Sequence, residues 1–264
     1  MNPAGQVGTP TGPLQFAGKS AIVTGGTRGI GLSIVELLVR GGASVVVTAR
    51  KQAELDEVGE RFADRVTVVC GGVDAPGHPE EVVRTGIERF GSLDILVNNA
   101  ATNPQYGPMT DTDLSAFDKA MAVNLRAPLV FSREVWSQWM AEHGGSIVNI
   151  ASTGAFRIAP NTGSYNISKA ALVQLTRQLA LEMAPKVRVN AVAPAVVRTV
   201  MAMSQVRGDE LADQYPLKRV GEPEDVASAC GYLLSDAASW VTGTVLTLDG
   251  GVLLLKGTSE IPPT

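Results

Sequence analysis

The stretch Ser20-Ala-Ile-Val-Thr-Gly-Gly-Thr-Arg-Gly-Ile-Gly31 joins a short apolar run to a glycine-rich turn, and a helical pattern follows it directly. A strand, a glycine turn and a helix in this order bind a pyrophosphate. The glycines let the anion approach the backbone, and the helix N-terminus supplies N–H donors and a favourable dipole. Glycines also occur in ordinary strand–helix turns. The GxxxGxG spacing indicates nucleotide binding because it lies directly between a predicted strand and a predicted helix. The predicted nucleotide-binding residues of this glycine turn are Gly25, Thr27, Arg28, Gly29, Ile30 and Gly31.

Short β-type runs alternate with helix-length amphipathic segments along the chain. Most of these runs are continuously apolar, which is typical of strands buried on both faces of a parallel sheet. The alternation predicts an α/β fold, a Rossmann-type doubly wound parallel sheet of about seven strands with helices on both faces. The predicted strands are 20–24, 44–49, 66–70, 94–98, 146–152, 187–194 and 244–249, and the predicted helices are 30–40, 52–62, 79–90, 112–140, 164–184 and 223–234.

Neither a composition break nor a repeat divides the chain of 264 residues. Residues 1–15 are rich in Gly and Pro and lack an apolar signal core, so they are predicted to form a disordered tail. Residues 16–264 are predicted to form a single dinucleotide-binding catalytic domain. Within this domain, residues 200–216 are mixed in character and are predicted to form a mobile lid over the substrate.

Composition limits the classes of partner. The net charge of −4 argues against nucleic acid or an anionic membrane as a partner. No apolar stretch reaches the roughly 18 residues of a transmembrane helix, which predicts a soluble cytoplasmic protein. Cys70 and Cys230 lie far apart in apolar contexts and are predicted to be reduced. His78 and His143 lack metal-ligand spacing, so no metal site is predicted.

A second group of polar residues follows another predicted strand. Ser152 ends the run Ser146-Ile-Val-Asn-Ile-Ala-Ser152, and Tyr165 and Lys169 are four residues apart on the next helix. Positions four apart share one helix face, so we expect the phenol and the ammonium to face a space that the serine can reach. An ammonium favours the phenolate, so Lys169 is predicted to lower the Tyr165 pKa from about 10 and to suit it to proton transfer. YxxxK spacing alone also occurs on ordinary helix surfaces.

With both ends of the chain considered, the sequence resembles the classical short-chain dehydrogenase/reductase family over roughly residues 16–251. Several motifs in the family's order are far more specific than any one of them. The motifs that carry the resemblance are Thr24-Gly-Gly-Thr-Arg-Gly-Ile-Gly31, Asn98-Asn-Ala100, Asn124, Ser152, Tyr165 with Lys169, and Pro194 to Thr199.

The resemblance implies hydride transfer between a nicotinamide cofactor and a carbonyl/alcohol pair. It implies that Ser152 donates a hydrogen bond to the carbonyl oxygen and that Tyr165 is the general acid or base. It further implies that Lys169 binds the nicotinamide ribose and that Asn124 connects Lys169 to water. Besides Tyr165 and Lys169, the implied cofactor contacts are Val73 near adenine, Asn98 and Ala100 near the adenosine ribose, and Pro194, Val197 and Thr199 near the nicotinamide.

The second predicted strand ends in Val45-Val-Val-Thr-Ala-Arg50 and contains no carboxylate. In dinucleotide folds an acid at this strand end binds the ribose 2′-hydroxyl of NAD, whereas a cation accommodates the 2′-phosphate of NADP. Arg50 and Arg28 offer charge-assisted hydrogen bonds to such a phosphate. NADP(H) is therefore the predicted cofactor, and a solvated surface arginine is the alternative interpretation.

The predicted substrate is a small ketone or aldehyde, or the corresponding alcohol. The motifs resemble carbonyl-reductase members of the family. The alternative is a 3-oxoacyl-[acyl-carrier-protein] reductase, which would need a basic patch near the cleft mouth. A non-catalytic NADPH-binding protein is disfavoured by the complete Asn-Ser-Tyr-Lys set. The predicted substrate contacts are Thr102, Ser152, Thr153, Tyr165 and Met201.

Apolar side chains occupy more than one stripe of the helical segments 112–140 and 164–184. One sheet face covers only one stripe, so another subunit is the expected cover for the rest. The apolar run Val252-Leu-Leu-Leu255 follows the last predicted strand and offers a second interface. Two interfaces together predict a homotetramer with 222 symmetry, the number of subunits being implied by the resemblance.

Overall fold

The computed structural model describes residues 15–199 and 211–255. The predicted tail, apart from residue 15, and positions 200–210 of the predicted lid lie outside the described residues, as does Met201. Among the described residues, no helix is both long and apolar enough to cross a membrane.

Seven parallel strands form one sheet in the order β3-β2-β1-β4-β5-β6-β7, which confirms the predicted Rossmann-type doubly wound architecture. Every predicted strand is present, and the bounds differ by at most two residues at either end. The strands are β1 Ser20–Thr24, β2 Ser44–Ala49, β3 Val66–Cys70, β4 Ile95–Asn98, β5 Gly145–Ile150, β6 Val187–Pro194 and β7 Val245–Leu248.

Helices cover both faces of the sheet, because successive strand side chains point to opposite faces and both sets are apolar. In β1, Ala21 and Val23 pack in one core cluster with the first and last helices, whereas Ile22 packs in the other. The helices are α1 Gly29–Arg40, α2 Gln52–Phe62, α3 His78–Phe90, α4 Leu114–Met121, α5 Ala127–Val135, α6 Ala141–His143, α7 Gly163–Met183 and α8 Pro223–Leu234.

The predicted helix 112–140 is divided by two π-helical turns, Ala122–Arg126 after α4 and Trp136–Met140 after α5. A π-helical turn contains one residue more than an α-helical turn and often occurs at a functional site. The first turn contains the predicted site residue Asn124, which is fully buried. Local propensity does not reveal such a turn, because the apolar periodicity continues through it.

The strand order reverses between β1 and β4, since β1 leads to β2 on one side and β4 leads to β5 on the other. In open parallel sheets the carboxyl ends of the strands leave a crevice at such a reversal, and ligands bind there. The glycine turn leaves β1 at this crevice, so the fold puts the predicted nucleotide-binding residues beside it.

Candidate active site and cofactor cleft

A cleft of about 220 Å³ opens at the carboxyl ends of β1, β2, β3 and β4. We call it the cofactor cleft. Its lining includes most of the predicted cofactor contacts, so residues that are far apart in the sequence lie around one cleft. The predicted residues along it are Gly25, Thr27, Arg28, Gly29, Ile30, Gly31, Arg50, Val73, Ala100, Thr102 and Thr199.

Two positions of the glycine turn disfavour residues other than glycine, each for its own reason. Gly29 has a φ of +54°, a conformation that L side chains rarely adopt. A Cβ atom on Gly31 would lie 2.2 Å from the carbonyl oxygen of Gly25. Helix α1 can therefore begin directly against the turn, and its first N–H groups face the cleft as a site for an anion.

The turn is fixed to the end of β4 by a small set of hydrogen bonds. The Thr24 Oγ1 accepts from the backbone N–H groups of Asn99 and Ala100, at 3.0 Å each. In return, Asn99 Nδ2 donates to the carbonyl oxygens of Thr24 and Gly25, at 2.9 and 3.0 Å. Asn99 lines the cleft and was missed by the sequence analysis, which had assigned the cofactor contact to its neighbour Asn98.

Asn98 lies inside the sheet, 3% exposed, rather than among the described lining residues of the cofactor cleft. Its Nδ2 donates to Asn149 Oδ1 at 2.9 Å, and Asn149 Nδ2 donates to Thr176 Oγ1 on α7 at 2.9 Å. This chain of amides joins β4, β5 and α7. Asn98 therefore has a structural role in this sheet, and its contact with the cofactor stays a prediction.

One end of the cleft carries a group of charges that we call the cationic end: Arg28, Arg50, Lys51 and Glu54. Within the described residues, neither guanidinium has an ion pair or a side-chain hydrogen bond, although the charge of Arg28 helps to lower the pKa of Glu54. Lys51 Nζ donates to Glu54 Oε1 at 2.7 Å, and Thr27 Oγ1 donates to Glu54 Oε2 at 2.9 Å. These contacts with Lys51 and Thr27 hold the pKa of Glu54 below its ordinary value. Glu54 lies in the first turn of α2, beyond the strand end at 45–50 where an acid that contacts the ribose is expected, so no motif in the sequence indicates its role.

An ion pair closes the side of the cleft near Val73. Lys119 Nζ of α4 lies 2.6 Å from Asp74 Oδ2, and both residues line the cleft. Burial raises the pKa of Asp74, but the hydrogen bond and charge of Lys119 outweigh it, so the pKa lies below its ordinary value. Nothing in the spacing of these residues, 45 apart in sequence, signals their contact.

The structure brings Ser152, Tyr165 and Lys169 together, as the spacing predicts. Ser152 stands just beyond β5, where its Oγ accepts from the Gly154 N–H at 3.1 Å. Its hydroxyl is close enough to the Tyr165 phenol to oppose the rise in the pKa of that phenol. Tyr165 is in the first turn of α7 and Lys169 is one turn later. The Lys169 Nζ lies 5.7 Å from the centroid of the Tyr165 ring and donates to the Ile150 carbonyl oxygen at 2.7 Å.

The protonation of this pair departs from the expectation. Burial raises the pKa of Tyr165 above its ordinary value, and the hydrogen bond with Ser152 only partly opposes it. Burial also lowers the pKa of Lys169 to about 7, because a buried ammonium loses its hydration. The predicted lowering of the Tyr165 pKa by Lys169 is therefore not found: removal from water disfavours the charged form of each group.

Both the oxygen and the nitrogen of the Asn124 side-chain amide form hydrogen bonds within the protein. Its Oδ1 accepts from the Thr102 N–H at 2.8 Å, and its Nδ2 donates to the Thr102 carbonyl oxygen at 2.8 Å. The same Nδ2 donates to Ser168 Oγ at 2.9 Å, and Ser168 is the residue before Lys169 in the chain. Asn124 thus connects Thr102, in the lining of the cofactor cleft, to helix α7. The implied route from Asn124 to Lys169 through water stays a prediction.

The segment after β6 completes the same edge of the sheet. Pro194 ends β6, and Val197 is 5% exposed and pairs with Gly221. Thr199 approaches the glycine turn, since a Cβ on Gly29 would lie 3.1 Å from Thr199 Cγ2. Pro194 and Val197 are not among the cleft's described lining, so their predicted nicotinamide contacts stay predictions.

The end of the predicted lid is anchored rather than free. Tyr215 is 5% exposed, and its hydroxyl accepts from the Val196 N–H at 3.3 Å. A Cβ on Gly250 would lie 3.0 Å from the Tyr215 ring, which shows how closely the two pack. Tyr215 therefore fixes the carboxyl-terminal end of the segment 200–216 against the turn after β7.

Residues 25–253 match a family model described as enoyl-(acyl carrier protein) reductase. The human protein named dehydrogenase/reductase SDR family member 4 is 36% identical over 244 residues, covering 89% of this chain and 88% of its own. Tropinone reductase-like 3 of Erythroxylum coca is also 36% identical, covering 90% and 94%.

A crystal structure of a short-chain dehydrogenase/reductase from Brucella melitensis, titled a glucose/ribitol dehydrogenase, superposes with a TM-score of 0.86 at 32% identity. The match covers 91% of this chain and 98% of the other. The chain belongs to the short-chain dehydrogenase/reductase family. This short-chain dehydrogenase/reductase is accordingly an oxidoreductase that uses a nicotinamide cofactor, NAD or NADP, and acts on small-molecule substrates.

The cofactor cleft fits a nicotinamide dinucleotide on its own chemistry. The glycine turn leaves space for a pyrophosphate against the backbone and the start of α1, and Gly31 admits no Cβ there. Asn99 and Thr24 hold this turn at the end of β4. Arg28 and Arg50 give one end of the cleft a positive charge, and Thr102 lines the cleft close to Asn124.

Proposed function

We propose that this short-chain dehydrogenase/reductase is an NADP(H)-dependent carbonyl reductase acting on a ketone or aldehyde and, in reverse, on the alcohol. The observation that carries the proposal is the position of Tyr165 beside Lys169 on α7, with the Ser152 hydroxyl close enough to the phenol to affect its pKa. Asn124 joins this pair's helix to the cofactor cleft through Thr102 and Ser168. This arrangement supports proton transfer beside the bound cofactor.

The bound nicotinamide supplies the hydride, and the protein has to orient the carbonyl group and deliver a proton. Ser152 donates a hydrogen bond to the carbonyl oxygen and Tyr165 donates its phenolic proton to the same oxygen. The raised pKa of Tyr165 keeps the phenol protonated at neutral pH, which suits the reductive direction. Lys169 would bind the nicotinamide ribose, and its protonated form would place a cation close to the phenol as the phenolic proton leaves.

NADP(H) rather than NAD(H) is the proposed cofactor because two unpaired guanidiniums, Arg28 and Arg50, line the cationic end within the described residues. A guanidinium presents a planar fork of donors that matches a phosphate. The ammonium of Lys51 adds a third cation at the same end. An uncharged 2′-hydroxyl would leave the two guanidiniums without an anionic partner, whereas Lys51 already pairs with Glu54.

The proposed substrate pocket is formed by Thr102, Ser152, Thr153 and Tyr165, together with Met201 outside the described residues. Of these groups, none is charged apart from the titratable phenol, which favours a neutral carbonyl compound. Arg157, exposed in the loop after Ser152, is the cation that a carrier-bound substrate would use. The matching family model is described by a reductase of acyl-carrier substrates, and a 3-oxoacyl-[acyl-carrier-protein] reductase, which also reduces a carbonyl group, is the second candidate.

A screen of aldehydes, ketones and 3-oxoacyl thioesters with NADPH tests this function. We expect NADPH oxidation with neutral ketones or aldehydes and a kcat/KM at least tenfold lower with acyl thioesters. The reverse order would identify the acyl-carrier reaction instead. Absence of turnover with every compound, in a protein that binds NADPH, would favour a non-catalytic binding protein.

We propose a homotetramer, supported by two separate groups of exposed apolar side chains. Leu114 on α4 and Ile167 and Leu181 on α7 are 75%, 44% and 76% exposed. At the β7 edge of the sheet, Trp240 is 99% and Leu254 87% exposed. Exposed apolar groups of this kind on a soluble protein mark interfaces, and two self-complementary interfaces generate 222 symmetry.

Light scattering at micromolar concentration should report a mass of about four chains of 27.6 kDa. Trp240→Glu at the β7 edge should break one interface and give dimers, because it buries a charge without a partner. Glu142→Gln, a charge change on α6, serves as the control. A monodisperse monomer in the unsubstituted protein would contradict the proposal.

A cytoplasmic location is part of the same proposal. Cys70 and Cys230 are both free thiols, one exposed and one buried. Free thiols are the usual state in a reducing compartment.

A further inference from the structure

Glu54 is a carboxylate within the cationic end of the cofactor cleft. Its two oxygens accept from Lys51 Nζ at 2.7 Å and from Thr27 Oγ1 at 2.9 Å. Its side chain is 30% exposed, whereas that of Lys51 is 69% exposed. Arg28 and Arg50 line the same end. The proposed 2′-phosphate site contains three cations, and Glu54 already pairs with one of them, Lys51.

The position of this carboxylate is fixed by the helix that carries it. Glu54 is in the first turn of α2, where a negative charge is favoured by the helix dipole. The adjacent Leu55 and the next-turn Val58 are buried in the core and hold α2 against the sheet. Glu54 can change its rotamer, but its Cα stays at the cationic end of the cleft, so its charge acts most strongly on a phosphate bound at that end.

A 2′-phosphate carries about −1.5 to −2 charges at pH 7, whereas the 2′-hydroxyl of NAD(H) carries none. Glu54 opposes the phosphate in two ways: it repels the anion, and it competes for the ammonium of Lys51. Neither effect applies to the uncharged hydroxyl. Glu54 therefore weakens the binding of NADP(H) relative to NAD(H), whereas Arg28 and Arg50 strengthen it.

We infer that Glu54 is a specificity-determining residue that limits the preference of this enzyme for NADP(H) over NAD(H). The inference rests on the proposed use of the cationic end as the 2′-phosphate site. Discrimination between the cofactors is then a balance between two guanidiniums that attract the phosphate and one carboxylate that repels it. The hydrogen bond with Thr27 keeps that carboxylate beside the glycine turn.

Glu54→Gln tests the inference, because the amide keeps the size of the side chain and still offers Thr27 an acceptor oxygen. We expect the Kd of NADPH and of 2′,5′-ADP to fall about tenfold, since a charge repulsion at close range is removed. The Kd of NADH and of 5′-AMP should stay within about twofold. Calorimetry or quenching of protein fluorescence measures all four without a substrate. The gain should shrink in high salt, where charges are screened.

Glu60→Gln is the matched control, with the same charge change on the same helix and outside the cleft lining. It should leave all four affinities unchanged within about twofold. An equal change for NADPH and NADH in Glu54→Gln would overturn the inference and assign Glu54 to the support of the glycine turn. No change for either cofactor would overturn it too.

The two proposals fail separately. Equal affinities of the unsubstituted enzyme for both cofactors would contradict the proposed NADP(H) preference. A preference for NADPH that then arises in Glu54→Gln would still support the role of Glu54. A preference in the unsubstituted enzyme that Glu54→Gln leaves unchanged would contradict only that role.

Discussion

Replacing Tyr165 by phenylalanine should abolish carbonyl reduction while leaving cofactor affinity nearly unchanged. The phenol is the proposed proton donor, and general acid catalysis typically contributes 10²–10⁴-fold to a rate. Phenylalanine keeps the ring that packs beside Lys169, so the loss should appear in kcat rather than in stability. Steady-state kinetics with the best substrate of the screen, together with an NADPH titration, measures both quantities.

Tyr232→Phe is the control for this change, since Tyr232 lies on α8 and is 45% exposed. It should retain the full rate. A Tyr165→Phe enzyme that keeps more than about a tenth of the unsubstituted rate would require another proton donor, because the expected loss is at least 10²-fold. The melting temperature should remain the same in both variants, which separates a chemical loss from an unfolded protein.

Removing the two guanidiniums of the cationic end should abolish the proposed preference for NADPH over NADH. Hydrogen bonds to charged groups contribute about 1.5–3 kcal/mol each, and the exposure of Arg28 and Arg50 places both at the lower limit. We therefore expect roughly tenfold weaker NADPH binding for Arg50→Ala and roughly a hundredfold for the double variant with Arg28→Ala. NADH affinity should change by less than about threefold.

Arg89→Ala, an exposed arginine on α3 away from the cleft, controls for the loss of net positive charge. Titration of each variant with NADPH and NADH in the absence of substrate gives the ratio directly. A double variant whose affinities for the two cofactors fall by the same factor would mean that the arginines support the glycine turn rather than the 2′-phosphate.

Sequence patterns predicted the fold well because buried parallel strands are continuous apolar runs, and the glycine turn has a single backbone conformation. Patterns could not decide which of two consecutive asparagines faces the cleft. Asn98 still belongs to β4 and points into the sheet, whereas Asn99 follows the strand and turns toward β1. That difference depends on where the strand ends, by one residue.

Contacts between segments that are distant in the sequence could not be predicted, for a different reason. Asp74 and Lys119 meet only because α4 packs over the loop after β3. Likewise, the spacing of Tyr165 and Lys169 correctly predicted their proximity, but the sign of the Tyr165 pKa shift depends on burial. Burial is a property of the assembled fold, so local spacing cannot supply it.

The π-helical turn at Asn124 has one consequence for how this enzyme can diversify. Asn124 recognises residue 102 entirely through its backbone N–H and carbonyl oxygen, at 2.8 Å each. Any side chain other than proline, which lacks the N–H, preserves both bonds. Position 102 lines the cleft, so a substitution there would change the surface that the proposed substrate meets and would keep the backbone contacts that tie residue 102 to the π-helical turn.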